Sequence, residues 1–306
     1  MVNEMPALKP FLYERPSSLE QLSMLLADHA GTVPGYLSGG TDLLVAMRTR
    51  KQSPELVVDL KGLPNLRGIN RCEGGKLWIG ALTTIHSLEV NETIRSHITL
   101  LFEAAQSLGS WQVRNRGTIG GNLANGAPTA DMAAPLLALD AEILTWSPVG
   151  DRRIPVASFW LGARKTALHP GEIITGVEIP LKQGSSSAYT KLGPRKAMDI
   201  AIASAAVVLR LDGGIIQEVR IALGGAGPTP LRARSAEAHL TGRPALAENL
   251  IQAGKLAASE SNPRTSTRAT REYRLSVIPV LVERSIRSAL KRREGSAEKK
   301  GVRADG

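Results

Sequence analysis

Two glycine-rich segments hold the residues best suited to bind an anion. The first segment, YLSGGTDLL, runs from Tyr36 to Leu44, and the second, RNRGTIGGNLANGAPTAD, runs from Arg114 to Asp131. Each combines Gly-Gly with a hydroxyl residue and a nearby Asp or Asn, and this composition lets successive backbone N–H groups converge on an anion such as a pyrophosphate. Together the two segments predict a phosphate clamp with two sides.

The same glycines also fit a simpler interpretation, in which they form tight turns that need a positive φ angle. The chain contains neither the G-x-G-x-x-G pattern of a Rossmann nucleotide site nor the G-x-x-x-x-G-K-[ST] pattern of a P-loop. A nucleotide site would therefore belong to another architecture. A short strand at Tyr36 and Leu37 leads into the first segment, LLVAMR follows it as the start of a helix, and a helical pattern from Ile98 to Leu108 precedes the second segment.

Composition limits the class of protein. The chain has 306 residues, 42% of them hydrophobic, which predicts a globular protein of two or three compact units. The opening MVNEMPALKPFLY lacks the pattern of a signal peptide, and no apolar stretch is long enough to span a bilayer, so we expect a cytoplasmic location. The single cysteine, Cys72, excludes an intrachain disulfide and any metal site built from several thiolates of this chain. If the protein handles electrons, an organic cofactor must carry them.

The positive charge of the chain does not by itself indicate a nucleic-acid partner. The net charge is +10, but aromatic residues make up only 4% of the chain, and no zinc-finger or RNP-like pattern is present. Part of the excess charge lies in the tail from Lys291 to Gly306. We therefore expect no nucleic-acid function and interpret the basic residues as a solvated tail or as a surface that faces an acidic protein.

The order of elements predicts an α+β fold with two domains. The composition changes near Pro170, after which GEIITGVEIP is expected to form the first strand of a C-terminal domain, and Asp212-Gly213-Gly214 separates two apolar runs as a hairpin turn would. Three helical patterns follow, at Ala233–Leu240, Ala245–Ala258 and Ser276–Lys291. We predict a first domain over residues 1–170, with lobes at about 1–55 and 56–170, a second domain over 171–290, and a disordered basic tail over 291–306.

Four strings together resemble the FAD-binding, or medium, subunit of the molybdenum hydroxylases. They are GGTDLL, the second glycine segment with its LLALDA continuation, KLGPRKAMDIA, and REYR ahead of VLVERSI, and the resemblance extends from about Phe11 to Arg287. The family includes the medium subunit of aerobic carbon monoxide dehydrogenase and the flavin domain of xanthine dehydrogenase. The resemblance implies a two-lobed FAD-binding domain of the vanillyl-alcohol oxidase (PCMH) type, followed by a C-terminal α+β domain of sheet and helices.

The resemblance also implies which residues bind the cofactor. The two glycine segments would enclose the FAD diphosphate from opposite sides, Asp131 would form hydrogen bonds with the cofactor, Ile174 would make an apolar contact, and Lys191 would lie at the flavin ring and raise its potential. The complete set is Tyr36, Leu37, Ser38, Gly39, Gly40, Thr41, Asp42, Leu43, Thr118, Ile119, Gly120, Gly121, Asn122, Asp131, Ile174 and Lys191. No catalytic or metal-binding residue is expected on this chain. Without the resemblance, Lys191 fits an exposed lysine on a strand, and Asp131 fits the N-cap of a helix that starts at Met132.

The function that the resemblance implies is electron transfer within a complex. The FAD of this chain would pass electrons between [2Fe-2S] clusters of a small partner subunit and an external acceptor such as NAD, a quinone or oxygen. A large partner subunit would carry the molybdenum cofactor, and the expected assembly is a dimer of heterotrimers. Two alternatives stay open at this point: a free-standing FAD-dependent oxidase or reductase with its own organic substrate, and a basic scaffold that binds phosphate or RNA.

Overall fold

The computed structural model describes residues 7–195 and 198–301, with side chains described as far as Arg293. These residues form a three-stranded, a five-stranded and a four-stranded sheet and one two-stranded ribbon, together with helices. Mixed sheets and helices of this kind confirm the α+β class that the sequence predicts. None of the helices in this part of the chain combines the length and the apolar character needed to cross a membrane.

The first lobe is a small parallel sheet with helices. Its strands lie in the order β1-β3-β2, and both neighbouring pairs are parallel. Its elements are β1 (Leu12–Glu14), α1 (Leu19–Asp28), β2 (Gly35–Leu37), α2 (Leu43–Arg48) and β3 (Leu56–Asp59). Because β3 is the central strand of this sheet and is buried along its whole length, it belongs to the first lobe. The lobe boundary predicted at about residue 55 thus precedes the central strand of the first lobe.

The second lobe contains an antiparallel sheet in the order β4-β5-β10-β6-β7. Its strands are β4 (Ile69–Cys72), β5 (Lys76–Gly80), β6 (Glu142–Trp146), β7 (Arg152–Pro155) and β10 (Ile173–Pro180), and the ribbon consists of β8 (Trp160–Gly162) and β9 (Lys165–Thr166). The strand that the sequence assigned to the C-terminal domain is β10, yet it pairs on both sides with strands of this sheet. That assignment was wrong, because an apolar run predicts a buried strand without indicating its neighbours.

Six short helices connect β5 to β6 and cover the sheet of the second lobe. They are α3 (Ile85–Val90), α4 (Glu92–His97), α5 (Thr99–Ser107), α6 (Trp111–Arg116), α7 (Ile119–Ala124) and α8 (Ala133–Ala138). Apolar residues of α3, α5 and α8 pack with β5, β6 and β10 in the largest hydrophobic core. The same core takes in Tyr189, Ala206 and Val208 of the C-terminal domain. The two domains therefore share a continuous apolar contact.

The C-terminal domain is an antiparallel sheet with helices on one face. Its elements are β11 (Ser186–Leu192), β12 (Ala203–Asp212), β13 (Ile215–Gly224), β14 (Leu231–Arg232), α9 (Arg234–Leu240), α10 (Ala247–Ser259) and α11 (Arg271–Gly301). The turn between β12 and β13 has positive φ angles at Gly213 and Gly214, as the predicted hairpin requires. Alternate residues of β12 enter different cores, since Ala205 and Val207 face the helices while Ala206 and Val208 face the second lobe. The run from Ala205 to Leu209 is therefore apolar at every position.

The last helix continues further than the sequence predicts. It extends to Gly301, whereas a disordered tail was predicted from Lys291. The segment KRREGSAEKK consists largely of residues with high helix propensity, so a polar composition did not prevent continuation of α11. The remainder of the predicted tail, residues 302–306, lies outside the described residues.

Candidate functional site

A cavity of about 690 Å³ lies between the two lobes of the first domain. Both glycine segments line it, together with residues of α2, the α6–α7 connection and the start of β10. Its apolar lining includes Leu43, Val45, Ala46 and Leu60 of the first lobe and Ala81, Leu82, Ile85, Leu108, Val113, Leu168, Ile173 and Ile174 of the second. A volume of this size, with both polar and apolar groups in its wall, is typical of small-molecule and cofactor sites.

The two glycine segments touch each other at the edge of this cavity. A Cβ atom added to Gly39 would overlap the carbonyl oxygen of Arg116, so the absence of a side chain is what allows the backbones to approach. The hydroxyl of Thr118 also donates to the Ser38 hydroxyl at 3.4 Å. The two segments, although about 80 residues apart in the chain, therefore form one continuous wall, as the sequence predicts for a clamp.

The first glycine segment presents unpaired amide groups. Within the described part of the chain, the backbone N–H groups of Gly39, Gly40 and Thr41 have no hydrogen-bond acceptor. Gly40 has a φ angle of 76°, in the left-handed region that glycine adopts without strain. Consecutive N–H groups around such a residue form a concave anion site. The local geometry therefore fits a negatively charged ligand.

In the second glycine segment, Gly120 and Gly121 lie in the first turn of α7 and not in a tight turn with positive φ. Thr118 is extended and its hydroxyl accepts from the Gly121 amide at 3.1 Å, so it starts the helix as an N-cap. The amides of Ile119, Gly120 and Asn122 are also paired, with carbonyl oxygens of Thr83, Ala81 and Thr118. The amides of residues 119–122 are therefore not free donors, and the two sides of the clamp are unequal.

Most of the predicted cofactor-binding residues lie around this one cavity. Those that line it are Tyr36, Ser38, Gly39, Gly40, Thr41, Asp42, Leu43, Thr118, Gly120, Gly121, Asn122 and Ile174. In the described part of the chain, Leu37, Ile119, Asp131 and Lys191 do not line it. Ile119 is fully buried in the core of the second lobe, where it packs against neighbouring apolar side chains.

Asp131 and Lys191 meet each other at the contact between the two domains. The Lys191 ammonium donates to the Asp131 carboxylate at 3.0 Å and to the Ser107 carbonyl at 2.9 Å, and the Tyr189 hydroxyl donates to the same carboxylate at 3.0 Å. Burial raises the pKa of Asp131, while Lys191 and Tyr189 oppose that rise. Lys191 is therefore not an exposed lysine, and Asp131 is not an N-cap, since α8 begins after Met132 without a side-chain cap.

A chain of polar side chains crosses the rim of the cavity and was not predicted from the sequence as a unit. The Asn125 amide donates to the Asp42 carboxylate at 3.1 Å, and the Arg164 guanidinium donates to the Asn125 side-chain oxygen at 2.8 Å. Arg164 has a φ angle of 59°, which is uncommon for a residue with a side chain. No local pattern in the sequence marks Arg164, because its role depends on the turn between β8 and β9.

Glu172 forms a buried part of the cavity wall. Burial raises the pKa of its carboxyl, but hydrogen bonds from the Arg152 guanidinium, the His169 amide and the Thr145 hydroxyl outweigh that effect and hold the pKa below its ordinary value of 4.5. The ionised carboxylate therefore ties β6, β7 and the start of β10 together next to Ile173 and Ile174.

Replacement of Glu172 by Gln is expected to reduce the acid sensitivity of the fold. Because the folded-state pKa of Glu172 is lowered, its carboxylate stabilises the fold above an unfolded-state pKa of 4.5, and this contribution is lost as the pH falls through the folded-state pKa. The variant lacks this titration. The difference in melting temperature between the wild type and Glu172→Gln should therefore shrink as the pH falls from about 7 to about 3. A difference that stays constant over this range would contradict the assignment.

Comparison with known proteins identifies the family. Residues 8–182 match the FAD binding domain in molybdopterin dehydrogenase, and residues 188–289 match the CO dehydrogenase flavoprotein C-terminal domain. The chain is an FAD-binding subunit of the molybdenum hydroxylase family. The first match ends just after β10 and the second begins within β11, so both the matches and the strand pairing of this FAD-binding subunit place β10 in the first domain.

Relatives of the FAD-binding subunit match it over nearly their whole length. It is 36% identical to the putative xanthine dehydrogenase FAD-binding subunit of Escherichia coli (strain K12), over 91% of this chain and 95% of the relative. It is 35% identical to the carbon monoxide dehydrogenase medium chain of Hydrogenophaga pseudoflava, over 91% and 96%.

Solved structures support the same assignment. Carbon monoxide dehydrogenase from Hydrogenophaga pseudoflava, in a form that lacks the Mo-pyranopterin moiety, matches with a TM-score of 0.90 at 35% identity, over 94% of this chain and 99% of that one. Quinoline 2-oxidoreductase from Pseudomonas putida 86 matches with a TM-score of 0.88 at 29% identity, over 94% and 99%. The subunit therefore has the fold of this family in both domains.

The residues of the cavity fit FAD. The FAD diphosphate needs hydrogen-bond donors, which the amides of Gly39, Gly40 and Thr41 offer, and the aromatic parts of the cofactor need apolar contacts, which the apolar lining offers. The described side chains hold no group of three or more His, Cys, Asp or Glu residues arranged to bind a metal ion. The donor set therefore suits an organic, phosphorylated cofactor.

Proposed function

We propose that this chain carries FAD in the cavity between its lobes and transfers electrons within a heteromeric molybdenum hydroxylase. Electrons would pass between [2Fe-2S] clusters of a partner subunit and an external acceptor, which is NAD, a quinone or oxygen. Bound FAD would supply the exchange between single electrons and electron pairs that this role requires. The cytoplasmic location predicted from the sequence is part of this proposal.

One observation carries the proposal most directly. The amides of Gly39, Gly40 and Thr41 have no acceptor in the described part of the chain, and they lie on the wall of a cavity large enough for a cofactor. Gly39, Gly40 and Thr41 are half-buried, and a ligand that enters the cavity would displace water from their amides. Backbone donors that lose water need another acceptor, so a row of them indicates a ligand that accepts hydrogen bonds. The diphosphate of FAD is such a ligand.

The surrounding residues would orient the cofactor from the other side. Thr118 and Asn122 line the cavity with a hydroxyl and a side-chain amide, and Asn122 is fixed because its Oδ1 atom accepts from the Met132 amide at 3.3 Å. Ile85 and Ile174 would cover the aromatic parts of the cofactor and exclude water from them. In this proposal the first glycine segment donates hydrogen bonds to the diphosphate, and the second segment encloses the diphosphate from the other side.

Asp131 and Lys191 enter the proposal as positioning residues. Asp131 directly precedes Met132, whose amide holds Asn122 in place, and Lys191 ties that carboxylate to β11. The ion pair of Asp131 and Lys191 would therefore fix the part of the cavity wall that contains Asn122. Any influence of the ion pair on the potential of the flavin would act through this part of the wall. This role replaces the direct contact with the flavin ring that the resemblance implies for Lys191.

The proposed assembly contains a large subunit with the molybdenum cofactor and a small [2Fe-2S] subunit, arranged as a dimer of heterotrimers. Support comes from the relatives, which are called FAD-binding subunits or medium chains of dehydrogenases and match this chain almost end to end. Substrate oxidation would then take place on another polypeptide, and this chain would deliver the electrons.

The test is purification of the native complex. We expect one FAD per copy of this chain, measured by absorbance and mass spectrometry, and co-purification of two partner subunits with molybdenum and iron. Reduction of the flavin by the substrate of the holoenzyme would establish electron transfer. A chain that purifies without flavin would contradict the proposal, and a solitary chain with full turnover on a carbon substrate would replace it with the free-standing enzyme.

A further inference from the structure

We propose that Lys61 is a positioning residue for the diphosphate of the cofactor, acting through the peptide bond between Ser38 and Gly39. This inference rests on the proposed function and adds a residue outside the glycine segments and outside the cavity lining. Lys61 follows β3 in the sequence and belongs to the short helical turn after it. Its side chain is directed back to the first glycine segment.

The contacts of Lys61 join it to both the first glycine segment and a buried carboxylate. The Lys61 ammonium donates to the Ser38 carbonyl oxygen at 3.1 Å and lies 2.7 Å from the Asp59 carboxylate. Asp59 is only 3% exposed and also accepts from the Tyr13 hydroxyl at 2.6 Å and from the Lys61 amide at 2.9 Å. The Asp59 carboxylate therefore has three donors, and its ion pair with Lys61 fixes the ammonium next to the Ser38 carbonyl oxygen.

The charge state of Asp59 supports this arrangement. Burial raises the pKa of its carboxyl, but the hydrogen bonds from Lys61 and Tyr13 outweigh that effect, so the net shift is downward and the group is ionised at neutral pH. The ion pair of Lys61 and Asp59 is electrically neutral as a unit. Its effect on an anionic ligand therefore comes chiefly from orientation and not from added positive charge.

Peptide geometry converts the Lys61 contact into a direction for the Gly39 amide. In a planar trans peptide the C=O and the following N–H point in opposite directions, and the described residues contain no cis peptide bond. With the Ser38 carbonyl fixed towards Lys61, the Gly39 N–H is fixed on the opposite side. That N–H has no acceptor in the described chain, and Gly39 lines the cavity. A cation on the carbonyl also polarises the peptide and strengthens its N–H as a donor.

The topology of the first lobe explains why these residues meet. Strands β2 and β3 are parallel neighbours, with Leu37 opposite Asp59, so the residues that follow them emerge at the same edge of the sheet. Ser38 follows β2 and Lys61 follows β3 by two residues, and Tyr13 lies on β1, the other neighbour of β3. The network therefore uses all three strands to hold one peptide of the glycine segment.

The test compares ligands with and without the diphosphate on the deflavinated complex. Lys61→Met is expected to weaken binding of FAD and of ADP about tenfold, while binding of adenosine changes less than about twofold, because adenosine does not use the Gly39 amide. Lys61→Arg, which keeps a donor near Ser38, should recover part of the loss. Lys255→Met serves as the control, since Lys255 is exposed on α10, away from the cavity.

The outcomes separate this inference from the proposed function. Unchanged affinity of Lys61→Met for FAD and ADP, or an equal loss for adenosine, would overturn the role of Lys61 while FAD binding by the wild type still stands. Failure of the wild type to bind FAD would overturn both. If Lys61→Met does not fold, Tyr13→Phe serves as the second test of the inference, because it removes only the hydrogen bond to Asp59. We expect a loss of about twofold to threefold for ADP and none for adenosine, and equal affinities of this variant and the wild type would overturn the inference.

Discussion

Replacement of Lys191 by Met is expected to destabilise the protein by about 3–5 kcal/mol, because it leaves a buried carboxylate without its cation. Asp131 is 7% exposed, and its other side-chain partner is the neutral Tyr189 hydroxyl. Burial already raises the pKa of Asp131, and removal of the ammonium removes the main opposing effect. The variant should therefore regain stability as the pH falls, because a raised folded-state pKa favours the protonated fold.

Denaturant unfolding of the wild type and of Lys191→Met, at neutral and acid pH, measures this effect. The double variant Lys191→Met/Asp131→Asn is expected to be more stable at neutral pH than Lys191→Met, because it no longer buries a charge. Lys255→Met is the matched control for loss of an exposed lysine and should unfold within about 0.5 kcal/mol of the wild type. If Lys191→Met behaves as this control does, the ion pair does not hold the domains together.

Replacement of Gly39 by Val is expected to prevent retention of FAD. The new Cβ atom would overlap the Arg116 carbonyl oxygen and lie 2.9 Å from the Gly117 Cα atom, so the two glycine segments must separate. Overpacking of this kind costs about 1–3 kcal/mol or more, and the shift would move the Gly39 amide out of line with its neighbours. We expect a decrease in FAD affinity of at least about tenfold.

Flavin content after purification and FAD titration of the deflavinated protein both report on the Gly39 variant. Gly162→Ala is the matched control, since the nearest atoms to its added Cβ are side-chain atoms of Lys165 at 3.9 Å, and it should retain full flavin. Melting temperatures of the two variants distinguish loss of the site from loss of the fold. Stoichiometric flavin in Gly39→Val would show that the close approach of the two segments does not matter for binding.

The sequence predicts the parts of the site that depend on local backbone chemistry. Gly-Gly beside Thr and Asp indicates a turn with free amides, and the structure has that feature at Gly39 to Thr41. The second pair carries a similar composition, yet Thr118 caps a helix there and most of the amides are used internally. The same residue types are compatible with an open loop and with the start of a helix. Composition alone therefore could not distinguish the two.

Contacts between distant parts of the chain were harder to predict. The apolar run of β10 identifies a buried strand, but its partners β5 and β6 are about 100 and 30 residues away, and nothing in the run specifies them. Lys191 and Asp131 are 60 residues apart, and each fits an ordinary surface role until the two domains are packed together. Lys61 was missed for the same reason, because its acceptor at Ser38 is 23 residues away and follows the neighbouring strand β2.

A crystal structure of the protein with FAD tests the central claim most directly. We predict that the diphosphate oxygens lie about 2.7–3.2 Å from the amide nitrogens of Gly39 and Thr41, with Thr118 and Asn122 closing the opposite side. The Lys61 ammonium should still contact the Ser38 carbonyl oxygen in that complex. FAD bound with its diphosphate outside this cavity, or with the amides of the first glycine segment directed away from it, would contradict the account.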